Sequence, residues 1–240
     1  DYRLIIEKTG EMNVPVTIYS SKNMDIDEKA IIQITNATKL PSVDTVIGTP
    51  DIHTGFGVPI GCVLATENIV SPSAVGYDIN CGMRLISTPF KKNDINPEEL
   101  ARSIQRDIPL GEGKHNVNVK NKYFLKVMEN GLSAFPDAIK CEERLLNFFD
   151  EAEFEKDMLA TEDNGQMEGI VSAVSEKAKG RGISQLGTLG GGNHFLEIQE
   201  ITDVYDETTA ESFGLSNGMI TIMLHSGSRG FGHEIAGDYM

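Results

Sequence analysis

Eighteen of the chain's 24 glycines fall in three blocks: six between Gly48 and Gly82, six between Gly180 and Gly192, and six between Gly214 and Gly237. Glycine lets the backbone turn sharply and approach another group closely. Four of the five histidines (His53, His194, His225 and His233) lie in or beside these blocks, as do two of the three cysteines, Cys62 and Cys81. Glycine alone would describe tight connections between strands. Glycine together with His, Cys and Asp points to three separated loops converging on one site.

Between the blocks the pattern is conventional. Residues 14–19, 45–47, 58–66, 83–87, 195–198 and 219–224 have the composition of short strands. Pro59 implies that the 58–66 strand starts irregularly or lies on an edge. Asn96, Pro97 and Glu99 mark a helix start, with Leu100, Ala101, Ile104 and Ile108 on its apolar side. Residues 121–180 read as helix-rich, with Tyr123, Phe124, Val127, Met128, Leu145, Leu146, Phe148 and Phe149 as core positions. A last helix is expected to begin near Gly232. The fold class is α+β: a mixed β-sheet core flanked by helices, in one domain over residues 1–240, with loops meeting at a metal site.

Charge and hydrophobicity exclude other classes. With 40% hydrophobic and 24% charged residues the chain is globular rather than disordered. No apolar run approaches the roughly 20 residues of a membrane span. No export signal is evident, so Cys62, Cys81 and Cys141 read as intracellular thiols or ligands, and a cytoplasmic protein is expected. The net charge of −15 argues against a generic basic nucleic-acid binder. Ten acidic residues against two basic ones lie between Glu142 and Glu168, a solvated face away from the glycine blocks.

The candidate ligands are hard and soft together. In SPSAVGYDINCGMR, Asp78 and Cys81 stand three apart in a Gly-flanked turn that can aim a carboxylate and a thiolate at one point. GGGNHFLE places Asn193, His194 and Glu197 where a loop enters a strand. LHSGSRGFGH places His225 and Arg229 just after another. Such a set suits a transition metal with mixed N, O and S donors; zinc is the default, and the carboxylate also admits manganese or iron. Arg229 suits oxyanion binding, and GTLGGG (187–192) can present backbone N–H groups to a phosphate. It is not a Walker sequence, because no Lys-Ser/Thr follows the glycines.

Four long stretches, PDIHTGFGVPIGCVLAT (50–66), SPSAVGYDINCGMRLI (71–86), KGRGISQLGTLGGGNHFLEI (179–198) and LHSGSRGFGHEIA (224–236), closely resemble the RtcB family of RNA-splicing ligases, in the family's order. The resemblance implies a GTP- and Mn²⁺-dependent enzyme joining RNA ends that bear a 2′,3′-cyclic phosphate or 3′-phosphate to a 5′-hydroxyl, through a guanylylated histidine. Some relatives also need an archease-type activator. By the same resemblance Asp78, Cys81 and His194 bind one Mn²⁺, and Cys81 bridges to a second that His225 also holds. Asn193, His194, Phe195, Leu196 and Glu197 form the guanylate-contacting stretch. Cys81, Arg229 and Asp51 are the expected catalytic residues, Arg229 on RNA phosphate and Asp51, with His53, supporting the metals. His233 is expected to be structural.

The family's guanylate-accepting histidine lies in a His-Gly-Ala-Gly-Arg-like element, and a further metal-binding histidine precedes it. Neither occurs in these 240 residues. The chain is therefore expected to be the N-terminal portion of a longer ligase, holding metal weakly alone and unable to form the guanylyl-enzyme. A metal-dependent cyclic phosphoesterase and a non-catalytic RNA- or partner-binding relative remain the alternatives.

Overall fold

The computed structural model describes residues 3–21, 23–140 and 142–240. Cys141, read from the sequence as a thiol or ligand, lies outside them. The described residues up to Gly76, with Met240, form one compact unit, and Tyr77–Tyr239 form another.

The first unit contains β1 (Arg3–Ile6), β2 (Val16–Tyr19), α1 (Glu28–Ala37), β3 (Val43–His53), β4 (Ile60–Thr66) and α2 (Pro72–Val75). Its sheet runs β1-β2-β3-β4 and is mixed: β2 and β3 are parallel, joined through α1, while the outer pairs are antiparallel. Asp27 caps α1 by accepting the Lys29 N–H at 3.0 Å. Ala30, Ile34 and Ala37 share one face at helical spacing, and they bury against Val16, Ile18, Val43 and Val46 of the sheet. Both expectations from Pro59 hold, since β4 begins only at Ile60, with a register shift against β3 there, and lies at one edge of this sheet.

The second unit contains β5 (Gly82–Lys91), α3 (Pro97–Asp107), α4 (Asn121–Asn130), α5 (Phe135–Ile139), α6 (Glu143–Leu146), α7 (Glu151–Leu159), α8 (Glu176–Gln185), β6 (Phe195–Glu200), α9 (Glu207–Ser212), β7 (Met219–Ser226) and α10 (Arg229–Tyr239). Its sheet is antiparallel, ordered β5-β7-β6. The α+β class therefore stands, realised as two sheets with helices against them. α3 opens as expected, with Asn96 Oδ1 accepting the N–H groups of Glu98 and Glu99. A second core gathers Val117, Val119, Phe124 and Ala138, with Tyr123, Val127, Met128 and Leu145 packed on it.

Three expectations need correction. Phe148 is 87% exposed and Leu146 is also exposed, because α6 is a single turn from which Leu145 reaches the second core. The last helix starts at Arg229 rather than near Gly232. The glycine blocks are also not all loop: Gly48 lies inside β3, Gly180 and Gly182 inside α8, and Gly230, Gly232 and Gly237 inside α10. At Gly182 a Cβ would lie 2.7 Å from the Phe124 ring and 2.8 Å from the Phe231 ring, so close packing of aromatic rings selects the residue.

α8 and α10 are held together by Glu234, only 8% exposed, which pairs with Lys177 at 2.6 Å and Arg181 at 2.9 Å. Both cations stay substantially solvated, so the pairs are worth less than their buried acid suggests. Glu234→Gln is expected to lower stability by about 1–2 kcal/mol, read as a shifted denaturation midpoint at unchanged slope. An unchanged midpoint would show that the two pairs contribute nothing net.

Candidate metal centre

The antiparallel register of the second unit's sheet builds the site. β7 ends at Ser226, and β5 and β6 both begin alongside that end: Gly82 pairs with Ser226, and Phe195 pairs with His225. Cys81 immediately precedes β5, and His194 immediately precedes β6. Three side chains from distant parts of the sequence thus meet at one end of three adjacent strands. Neighbouring strands lie roughly 5 Å apart, a spacing that donors to one ion can span.

The ligand atoms of Cys81, His194 and His225 all lie within 4.8 Å of one another. Cys81 Sγ is 3.1 Å from His225 Nε2 and 3.6 Å from His194 Nε2. Asp78 joins them, its Oδ2 standing 2.8 Å from His194 Nε2. His194 Nδ1 donates to the Leu189 carbonyl at 3.1 Å, which fixes the ring and turns Nε2 toward the cluster. The other Asp78 oxygen accepts from Ser228 Oγ at 2.8 Å.

His225 is 4% exposed and is seated edge-on between the rings of His194 and Phe195. Its Nδ1 is the one buried side-chain nitrogen or oxygen without a hydrogen-bond partner among the described residues. Such an orphan costs about 1–3 kcal/mol. The ring is therefore held for what Nε2 faces, not for its own hydrogen bonding. Burial first, and then the Asp78 carboxylate, push the Cys81 thiol up to about 11. A cation held here would have to displace that proton, and its positive charge would offset the cost of burying the thiolate beside Asp78. Two imidazoles, a thiol and a carboxylate within a few ångströms fit a transition-metal ion.

Two glycines permit this crowding. A Cβ on Gly190 would fall on Arg229 Nη1 and 2.5 Å from His194 Nδ1, and one on Gly227 would fall on the Asp78 carboxylate. Arg229, whose φ of 56° puts it in the left-handed region, donates from Nη2 to the Gly111 carbonyl at 3.2 Å and from Nε to Thr188 Oγ1 at 3.4 Å. That conformation is costly for a non-glycine residue and marks a position fixed by its surroundings. The N–H groups of Thr188 and Leu189 are spent on the carbonyls of Gln185 and Pro109, which removes them from the anion-binding role read for 187–192.

A cavity of about 790 Å³ opens beside the cluster. Leu100 and Ile104 of α3 and Ile108 just after it line the cavity from one side, and His194, Phe195 and Leu196 from the other. The apolar side expected for α3 thus faces a cavity, of a size that ligand pockets commonly have (roughly 300–1,000 Å³). Asn193 and Glu197 are exposed, and Glu197 accepts from Gln199 Nε2 at 2.9 Å.

A family model described as tRNA-splicing ligase RtcB matches residues 33–240. The chain belongs to the RtcB family. The tRNA-splicing ligase RtcB of Methanococcus maripaludis is 36% identical over 100% of this chain, and that of Thermococcus kodakarensis 38% identical over 95%. An RNA-splicing ligase RtcB homolog 2 from Entamoeba dispar is 38% identical over 87%. The chain spans about half the length of the two archaeal relatives, 49% and 47%.

Of the residues singled out in the sequence, the second unit brings together Asp78, Cys81, His194, His225 and Arg229. Asp51 and His53 belong to the first unit, Asp51 exposed and His53 half-buried with Nδ1 donating to the Thr54 carbonyl at 3.3 Å. His233 stacks on Tyr77 with ring centroids 5.0 Å apart. Ser228, the Leu189 carbonyl and Gln185, whose Oε1 accepts the Gly230 N–H at 2.7 Å, are additions that sequence reasoning does not supply. The SGS and LGG patterns around them are the available signal. Among the described residues no helix is long and apolar enough to cross a membrane.

Proposed function

We propose that this chain carries the metal-binding and RNA-end-binding half of a GTP- and Mn²⁺-dependent RNA ligase, joining 2′,3′-cyclic phosphate or 3′-phosphate ends to 5′-hydroxyl ends. The observation that carries the reading is the convergence of Cys81, His194 and His225, with Asp78 against His194, at one end of the β5-β7-β6 sheet, in a chain of this family.

Asp78, Cys81 and His194 would hold one Mn²⁺, and Cys81 with His225 a second. When bound, such ions neutralise charge on phosphate oxygens. The protein's own residues do the rest. Leu189 fixes the His194 ring, and Ser228 fixes the Asp78 carboxylate. Arg229, anchored on Gly111 and Thr188, is placed to hold an RNA phosphate beside them, with a planar fork suited to that anion. The cavity between α3 and β6 would receive the guanylate against Phe195 and Leu196, with Asn193 and Glu197 at the ends of the same stretch. Asp51 is assigned a supporting role on the resemblance alone. An archease-type activator is a further expectation for the complete enzyme.

Joining is tested with this chain fused to the part of the Methanococcus maripaludis relative that it does not match. Sealed product that requires GTP and Mn²⁺ supports ligation. Opened cyclic phosphate without GTP identifies a phosphoesterase instead. Neither reaction, with Mn²⁺ uptake intact, leaves a binding protein. The 240 residues alone are expected to take no covalent label from radiolabelled GTP, because no guanylate-accepting element is present in them. Labelling would overturn that assignment.

A further inference from the structure

The charge of −15 is not spread evenly, and the ion pairs show where positive charge stays available. The second unit has sixteen Lys and Arg residues, and ten of them lie within 4.0 Å of a carboxylate. The six without such a partner among the described residues are Arg84, Lys91, Lys114, Lys120, Lys122 and Arg229. Arg84 is instead bonded to Thr161 Oγ1 at 2.7 Å. Four of the six belong to the 111–122 segment or to the arginine bonded to it.

That segment is fastened beside the metal cluster. The Gly111 N–H donates to the Gly190 carbonyl at 2.7 Å, and the Gly111 carbonyl accepts from Arg229. Asn116 Nδ2 donates to the Gly187 carbonyl at 2.6 Å, and the Val117 N–H to the Leu186 carbonyl at 3.3 Å. Residues 111–117 therefore lie along the 186–190 loop that leads into His194. Val117 and Val119 are buried in the second core, which fixes the backbone while Lys114, His115, Lys120 and Lys122 stay exposed. Glu112 is the one acidic residue from 111 to 122. Lysines held by a packed backbone yet left without carboxylates attract a polyanion at low ordering cost.

We infer that Lys114, Lys120 and Lys122 form the track on which a single RNA strand lies, its 3′-phosphate end at Arg229 and its preceding phosphodiesters along the 114–122 segment. The inference rests on the ligase reading for the identity of the polyanion. It also answers the objection raised by the net charge: the second unit pairs ten of its sixteen cations with carboxylates and leaves a local basic track leading from the site.

The test is the salt dependence of binding to a short single-stranded RNA ending in a 3′-phosphate, followed by fluorescence anisotropy on the whole chain with Mn²⁺. The triple variant Lys114→Ala, Lys120→Ala, Lys122→Ala is expected to bind roughly tenfold more weakly at low salt. Its slope of log K against log salt should fall by about 2, at roughly 0.7 for each phosphate no longer neutralised. The charge-matched triple Lys140→Ala, Lys156→Ala, Lys179→Ala, which removes paired lysines, should leave that slope unchanged. Replacing the three track lysines by Arg should restore it. Mn²⁺ uptake should be equal in all variants, which also shows that each is folded. If wild type binds RNA and the two Ala triples weaken it equally, the track is wrong while the ligase reading stands. If the track triple lowers affinity for GTP and leaves RNA binding untouched, the segment serves a nucleotide and the proposal fails. If wild type binds no RNA at any salt concentration, the ligase reading fails and the track with it.

Discussion

Cys81→Ala is expected to abolish Mn²⁺ uptake while leaving the fold in place. The thiol forms a triangle with the two imidazoles, 3.1 Å from His225 Nε2 and 3.6 Å from His194 Nε2, so an ion held by either histidine lies within reach of the sulfur. Residues that merely orient metal ligands typically contribute 10–100-fold in affinity. Loss of a direct and central donor should exceed about 100-fold, measured by isothermal titration at fixed pH. The cost in stability is small. Cys81 precedes an edge strand and is exposed as a residue, with its thiol only partly covered and protonated at neutral pH, so its removal opens little space and strands no charge. A change within about 0.5 kcal/mol is expected. Cys81→Ser should behave almost as Ala does, because a hydroxyl of similar size keeps the hydrogen bonding but is a poor donor to a transition metal. Mn²⁺ affinity within threefold of wild type in both variants would remove the cluster as the metal site.

How much of this is readable in the sequence differs from one element to the next. Asp78 and Cys81 are legible because they stand three positions apart in one turn, and His225 because it closes an apolar strand. That these should meet His194 is only suggested by the glycine blocks. What brings them together is the pairing of β7 with both β5 and β6, a long-range register that no local pattern encodes. α1 escapes a reading of the sequence although Asp27 caps it and Ala30, Ile34 and Ala37 carry helical spacing. Ile31, Ile32, Ile34 and Thr35 are β-branched and argue locally against a helix, and packing on the first unit's sheet overrides them. Phe148 misleads for the converse reason. Its neighbourhood is apolar, but a one-turn helix buries only what its single anchored side reaches. Gly182 shows why glycine counts mislead: it serves contact with Phe124 and Phe231 inside a helix, and nothing in KGRG separates that use from a loop.

The three consecutive glycines 190–192 separate these uses most sharply, and they supply the second large effect. Gly190 has φ +111°, outside even the left-handed helical region, and a Cβ there would fall on Arg229 Nη1 and 2.5 Å from His194 Nδ1. The guanidinium is the end of a flexible chain and can move by giving up Thr188 and Gly111. The imidazole has no such freedom, because its Nδ1 is bonded to Leu189 and its Nε2 faces Asp78 and Cys81. Gly190→Ala is therefore expected to cost about 2–4 kcal/mol, combining backbone strain with displacement of packed groups, and to lower Mn²⁺ affinity with it. Gly192 is a control in the same loop. Its φ of +73° also disfavours an L residue, but nothing lies within 4 Å of the added Cβ, so Gly192→Ala should cost about 1 kcal/mol and spare the metal. Gly191 is outside the left-handed region and would meet only Gly111 Cα at 3.8 Å, so its substitution should be nearly silent in both measurements. Thermal melts and Mn²⁺ titrations on the three Ala variants should rank them 190, 192, 191 in stability, with 190 alone losing metal. Equal losses of metal across all three would mean that loop flexibility, rather than the fit of His194 and Arg229 against Gly190, sets the site.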